Sequence, residues 1–389
     1  MTDAITDLTT LVPSPGDAID WEEIDGSGLA PVLRQMAQTP QNPAWHGEGD
    51  VLAHARLVCE NLIRSDAWQG LARDRQEILF IAALLHDVGK ISCTKPVDGV
   101  LVSPHHAMVG EQAVRALLWR DLGIGGTYQS QQFREAICAL IRHHTVPQHF
   151  LDDSEPVVTA VRLAATGDLV PAYSNRLLAG LVEADIRGRV AHDTAEFLDQ
   201  IAYFTAICQE AGCGDQPVDF PSGYSRHAYL SGRKIGLGQD LYDDTWGTVI
   251  LMAGLPGAGK DTYIREHYPG LPVVSLDELR QEMKISPAEP QGKVIRAAQE
   301  RAKTHLRRRQ PFVWNATNVT SDIRRKQIQL FKAYGAAVTI VYVETAWNEL
   351  LRRNRTRAQA VPEPVINHLL EKLAVPQVGE AHEIEWVIS

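Results

Sequence analysis

What this 389-residue chain has little of narrows its class first. Its five cysteines (Cys59, Cys93, Cys138, Cys208 and Cys213) form no CxxC pair and are odd in number. That argues against a disulfide framework and for free thiols in a reducing cytoplasm. No apolar run approaches the roughly 18 residues that a spanning helix needs. The N-terminal stretch MTDAITDLTTLV has no basic region ahead of an apolar core, so neither a membrane partner nor a secretory leader is expected. Internal repeats and low-complexity tracts are also missing, apart from the basic cluster Arg307–Arg308–Arg309.

What is present is a soluble, globular composition, 44% hydrophobic and 22% charged, in a chain long enough for two cores. The net charge of −10 is unevenly spread. From Thr245 onward there are 20 basic and 15 acidic residues, against 18 basic and 33 acidic before it. An acidic front half argues against that half alone gripping a polyanion, whereas the basic excess behind it permits a phosphorylated or nucleic-acid partner.

Hydrophobic periodicity divides the chain. Residues 1–45 read as a lead-in with one helix near PVLRQMAQ. From His46 to about residue 215 the pattern is helical throughout, in DVLAHARLVCENLI, EILFIAALLHDVG, FREAICALIRHH and NRLLAGLVEADI, with no strand alternation. Residues 216–244 gather Gly, Pro, Ser and Asp and read as a domain seam. In residues 245–389 the short β-branched runs TVILMAG, PVVSL, FVWNAT, AVTIVYVE and EWVI alternate with helical segments. The fold class expected is therefore an all-α bundle followed by an α/β domain with a parallel sheet.

In the second domain GLPGAGKDT follows a buried strand directly and opens a helix. Gly254, Gly257, Ala258 and Gly259 let backbone N–H groups turn inward, and Lys260 would reach the outer phosphates of a nucleoside triphosphate. Asp261 stands where a hydroxyl usually follows the lysine. A carboxylate can also hold Mg²⁺, and Thr262 is the nearby hydroxyl. Asp277, after the next strand, lies where such sheets place ligands and could take the proton of an attacking hydroxyl, while Arg280 could hold an acceptor phosphate. Asn315, Thr317 and Asn318 end a further strand, where Thr317 and Asn318 are expected to contact the nucleotide, and Arg353 and Arg357, four apart, are expected on one helical face.

SLDELR, the Thr317–Asn318 pair and the RNxxRxxxVPxxVI segment (353–366) resemble the 5′-OH polynucleotide kinases of the phage type. The resemblance implies that Asp277 is the general base and that Arg280 contacts the acceptor end. It also makes Arg353 and Arg357 lid arginines on the donor phosphates. Where such kinases often carry Asp-Thr-Asn, this chain has Ala316-Thr317-Asn318.

The front half is rich in histidine. EILFIAALLHDVGK is a helix apolar nearly all round that ends in His86–Asp87, a doublet costly to bury unless it is paired or metal-bound. His54 lies upstream, with His46 and Asp50 nearby, and His106, His143 and Asp168 follow. A lone buried histidine is usually a satisfied core residue. The set His54, His86, Asp87, His106, His143 and Asp168 instead suits Mn, Ni, Co, Fe or Zn. His105 and His144 are the alternatives within their doublets.

HDVGK and the order His, His–Asp, His, His, Asp resemble the HD phosphohydrolase superfamily in its two-metal form, and QNPAWHGEGDVLAHA resembles the HD domain of the CCA-adding enzymes. In that relative a motif similar to ADIRGR makes Asp185 a rival of Asp168. The resemblance implies attack of metal-activated water on a phosphoester, with Lys90 helping to neutralise the phosphate. Together the two halves resemble the bacterial HD-Pnk end-healing enzymes. These would remove a 2′,3′-cyclic, 2′- or 3′-phosphate from RNA or DNA ends, phosphorylate a 5′-OH with ATP or another triphosphate, and leave joining to a separate ligase. Two other classes stay open: an HD nucleotidase joined to a nucleoside or metabolite kinase, and a non-catalytic ATP- and metal-binding nucleic-acid sensor.

Overall fold

Apolar residues at three- and four-residue spacing make helix α1 (Val51–Arg64), whose first turn is capped by the Asp50 carboxylate accepting the N–H groups of Leu52 and Ala53. The run EILFIAALL falls in helix α2 (Arg73–Leu85), where every residue from Ile78 to Leu85 is buried. In the computed structural model, which describes residues 4–191, 194–286, 289–357 and 360–389, the chain divides into two units, Met1–Val218 and Asp219–Ser389.

In the first unit α2 is the central helix. A hairpin, β1 (Lys95–Val97) and β2 (Val100–Val102), turns at Asp98–Gly99, both with positive φ. The sequence reading expected no strands here, yet Asp-Gly between β-branched residues is a hairpin turn signal. Helices α3 (His106–Ala116), α4 (Tyr128–His143), α5 (Asn175–Gly188) and α6 (Thr194–Glu210) are the other long helices of the bundle. Helix α2 packs against α1, α4 and α5, while α3 packs on α4. The α3–α4 pair is locked by a buried ion pair, Arg115 Nη2 to Glu135 Oε2 at 2.8 Å, with Glu111 at 2.7 Å. Gly89 lets the turn after α2 press on α3, since a Cβ there would fall 2.0 Å from the His106 carbonyl oxygen. The lead-in holds three short helices, Ala4–Thr9, Trp21–Gly26 and Ala30–Met36, rather than one, and buries Leu8, Ile24, Leu29, Leu33 and Met36.

The second unit begins within the expected seam, which contains helix α7 (Gly223–Leu230). Then follow β3 (Thr248–Ala253), α8 (Lys260–His267), β4 (Val273–Ser275), α9 (Leu276–Met283), α10 (Gly292–Arg307), β5 (Val313–Asn315), α11 (Ser321–Lys332), β6 (Ala337–Glu344), α12 (Trp347–Arg355), α13 (Glu363–Glu371) and β7 (Glu383–Ile388). The sheet order is β4-β5-β3-β6-β7, and all pairings are parallel. All five strands coincide with the five apolar runs of the sequence. β3 and β6 are almost wholly buried, as a sheet covered on both faces requires. The parallel arrangement gathers the C-terminal ends of β3, β4 and β5 at one edge.

Candidate functional site

In the helical unit, four imidazoles and two carboxylates converge. His54 comes from α1, His86 and Asp87 from the end of α2, His106 from the first turn of α3, His144 from just past α4, and Asp185 from α5. His54 Nε2 lies 3.0 Å from Asp185 Oδ1 and 3.9 Å from Asp87 Oδ2. His86 Nε2 lies 3.3 Å from Asp87 Oδ2 and 3.9 Å from Asp185 Oδ1. The other Asp87 oxygen faces the opposite pair, with His106 Nε2 at 3.4 Å and His144 Nε2 at 3.8 Å. Asp87 thus stands between two donor groups, as a bridging carboxylate does.

The outward nitrogens fix the tautomers. His86, His106 and His144 donate Nδ1–H to the carbonyls of Ala83, Ser103 and Ile141 at 2.8, 2.9 and 2.7 Å. Each Nε2 lone pair is left facing inward, the arrangement seen in metal-ligating histidines. Two observations fit divalent ions. The buried His86 Nε2 has no hydrogen-bond partner, and the Nε2 atoms of His106 and His144 face each other at 3.2 Å. Two imidazole lone pairs so placed repel unless a cation or a proton sits between them. The groups able to hold an ion include His54–His86–Asp87 and Asp87–His106–His144.

The electrostatics agree. Burial alone would raise the Asp87 carboxyl, but the charges of Lys90 and His86 outweigh it and hold the group well below the usual carboxylate range. Burial likewise opposes ionisation of Asp185, and Arg189 and His54 overcome it. His144 is pushed down to about 3 by burial and by the neighbouring His86 and His106, so it stays a neutral donor. Glu48 adds a partner that the sequence reading missed. Its Oε1 lies 2.7 Å from His54 Nδ1 and 2.8 Å from His46 Nδ1, which orients His54 from behind. An acid two residues after His46 in WHGEGD was the available signal.

Three expectations need correction. His143 does not join the cluster. It packs against Tyr173, with ring centroids 6.0 Å apart, and His144 takes the place expected for it. Asp168 is exposed at the end of a 3-10 turn, and the buried Asp185, 3.0 Å from His54 Nε2 and 3.9 Å from His86 Nε2, stands in the cluster instead. Lys90 is not poised over a substrate. It is buried beneath Asp87, with Nζ 2.6 Å from Asp87 Oδ2 and 2.7 Å from Gln41 Oε1. In the other doublet His106 is the one in the cluster, while His105, in left-handed backbone, is exposed.

At the sheet edge, the β3–α8 loop needs its glycines. Gly254, Gly257 and Gly259 have φ of 138°, 86° and 104°, and a Cβ on Gly254 would meet the Val343 carbonyl oxygen at 2.4 Å. The buried Ala258 N–H is donated to the Leu255 carbonyl, closing the loop's turn. Lys260 folds over the loop, donating to the Gly254 and Leu255 carbonyls at 2.8 and 3.0 Å. Asp261 accepts from Asn315 Nδ2 at 2.7 Å, whereas the exposed Thr262 only accepts from Arg265. Asp277 sits in the first turn of α9, ion-paired with Arg280 and 3.6 Å from Arg357 Nη2. Arg357 also lies 3.9 Å from Asp261 Oδ2, so Lys260, Asp261, Asp277, Arg280 and Arg357 form one charged group.

Helix α12 ends at Arg355, where Asn354 exchanges hydrogen bonds with the backbone of Val361 at 2.8 and 3.0 Å. Arg353 and Arg357 therefore do not share a helical face as expected. Arg353 bonds Glu349 and Ser389 and would lie 3.2 Å from a Cβ on Gly259. Ala358 and Gln359 of this segment lie outside the described residues. Asn318 is a brace rather than a phosphate contact: its Nδ2 donates to the Met252 carbonyl at 2.7 Å, and the Thr317 carbonyl accepts from Gly254 N–H at 2.9 Å.

Burial pulls the Lys260 ammonium down to about 8. The protonated form binds phosphate, so triphosphate affinity of the free protein falls as pH rises through that value, by up to about tenfold per pH unit. Titration calorimetry from neutral pH to about 9.5 checks this. Lys260→Arg, charged throughout, is expected to show no such fall.

With the geometry established, two family models match the chain: one described as an HD domain over residues 50–164, the other as an AAA domain over residues 249–376. A solved structure described as a kinase from Chloroflexus aurantiacus is similar over 37% of this chain and 86% of that one, at 18% identity and a TM-score of 0.32. The chain thus joins a domain that matches the HD model to a P-loop domain that matches the AAA model. No helix among the described residues is long and apolar enough to cross a membrane.

Proposed function

We propose that this is a nucleic-acid end-healing enzyme, in which the P-loop domain phosphorylates a 5′-OH strand end and the HD domain removes a 2′,3′-cyclic phosphate or a terminal 2′- or 3′-phosphate. The observation that carries the reading is that Asp277, Arg280 and Arg357 gather beside Lys260. A triphosphate on the loop would lie beside a carboxylate able to accept the proton of an incoming hydroxyl, and Arg280 beside it suits the phosphate that follows a strand's first sugar. Lys260 and Arg357 would balance the charge that spreads over the transferred group.

On the HD side, divalent ions held by His54, His86, Asp87, His106, His144 and Asp185 would supply Lewis acidity and lower the pKa of water. The chain's own groups hold the site in shape: Glu48 orients His54, and Lys90 fixes Asp87. The test is labelled ATP offered with a 5′-OH oligonucleotide and, in parallel, with free nucleosides. Transfer to the oligonucleotide is expected. Transfer to nucleosides alone would overturn the proposal in favour of a small-molecule kinase.

A further inference from the structure

We propose that the divalent ion accompanying the nucleotide is held directly by Asp261, the metal-binding carboxylate having moved from the end of β5 to the first turn of α8. This rests on the nucleotide-binding reading above. In P-loop enzymes a hydroxyl after the lysine and a carboxylate at a strand end commonly share the ion. Here the position after the lysine carries a carboxylate and the strand end a carboxamide. Asp261 follows Lys260, and Asn315 is the last residue of β5, the strand hydrogen-bonded to β3.

The two side chains touch, with Asn315 Nδ2 donating to Asp261 Oδ1 at 2.7 Å. The two departures from the common pattern are therefore in direct contact. Asn315 is 9% exposed and pins one Asp261 oxygen, leaving Oδ2 on the side of Arg357. Of the other oxygens nearby, Asp277 is ion-paired with Arg280 and the Thr262 hydroxyl accepts from Arg265. An acid in a helix's first turn is favourable in itself. That accounts for Asp261 but not for a carboxamide at the end of β5, nor for the bond between them. Mg²⁺ needs a carboxylate beside the phosphate oxygens, and Asp261 supplies the charge that Asn315 lacks.

The test uses the full chain, a non-hydrolysable ATP analogue and titration calorimetry with and without Mg²⁺, supported by electron paramagnetic resonance of Mn²⁺. Asp261 is exposed, so Asp261→Ser is expected to fold. It should bind the analogue without metal at least as tightly as the wild type, since a negative charge beside the triphosphate is gone, and lose at least about tenfold of the gain that Mg²⁺ gives the wild type, with loss of the part of the bound Mn²⁺ signal that depends on the nucleotide. Asp261→Ser combined with Asn315→Asp, which restores the common arrangement, should recover most of both. An undiminished metal gain in Asp261→Ser, or a double variant no better than the single one, overturns the proposal. A wild-type protein that binds no analogue with or without metal would instead overturn the nucleotide reading beneath it.

Discussion

Asp87→Asn is expected to lower phosphoesterase activity by at least about a hundredfold while leaving 5′ phosphorylation intact. Partners that merely orient a metal ligand are worth about 10–100-fold, and Asp87 stands closer to the chemistry than those. Its two oxygens face two donor groups, His54 and His86 on one side, His106 and His144 on the other. Asn preserves the shape but removes the charge, and it turns an N–H toward imidazole lone pairs that ought to meet a cation. Lys90 loses its counter-charge in a buried position, so a stability loss of about 3–5 kcal/mol is also expected. Elemental analysis of bound metal, both activities and a melting curve separate these effects. Asp87→Asn that retains phosphoesterase activity and metal contradicts the assignment. Loss of both activities without loss of fold would mean that the two are coupled through one site.

Asp277→Asn is expected to give the mirror result. Removing a positioned base costs about 10²–10⁴-fold in rate, or ~3–5 kcal/mol of barrier. The Asp277 side chain is 62% exposed, so the fold should be indifferent. Nucleotide affinity should persist, because Lys260 and the loop amides are untouched. A single-turnover assay with labelled ATP and a 5′-OH oligonucleotide reads the chemical step directly. Unchanged transfer by Asp277→Asn would remove this residue from the mechanism.

Much of this was legible in the sequence because the physics there is local. The five strands declare themselves as short β-branched runs, which only a sheet covered on both faces can bury. The phosphate loop declares itself by glycines whose positive φ other residues resist. The choice between His143 and His144 was not legible. Helix α4 is buried on almost every face from Phe133 to Ile141, so periodicity names no inner side. Asp168 and Asp185 each fall near a helix end in the sequence, and only the packing of α5 on α1 brings Asp185 to His54. At the end of α12 a side chain, Asn354, bonds seven residues ahead, which propensity does not anticipate. The His105–His106 doublet resolves through one left-handed residue, since φ of 59° at His105 turns the chain and starts α3 at His106.

The most direct measurement uses a nicked duplex bearing a 5′-OH and a 2′,3′-cyclic phosphate, incubated with the full chain, ATP and a series of divalent metals, with both ends resolved afterwards. The account predicts a 5′-phosphate facing a terminus freed of its cyclic phosphate, with Asp277→Asn blocking only the first change and Asp87→Asn only the second. A wild-type protein that leaves both ends of the break unaltered under every metal would contradict it.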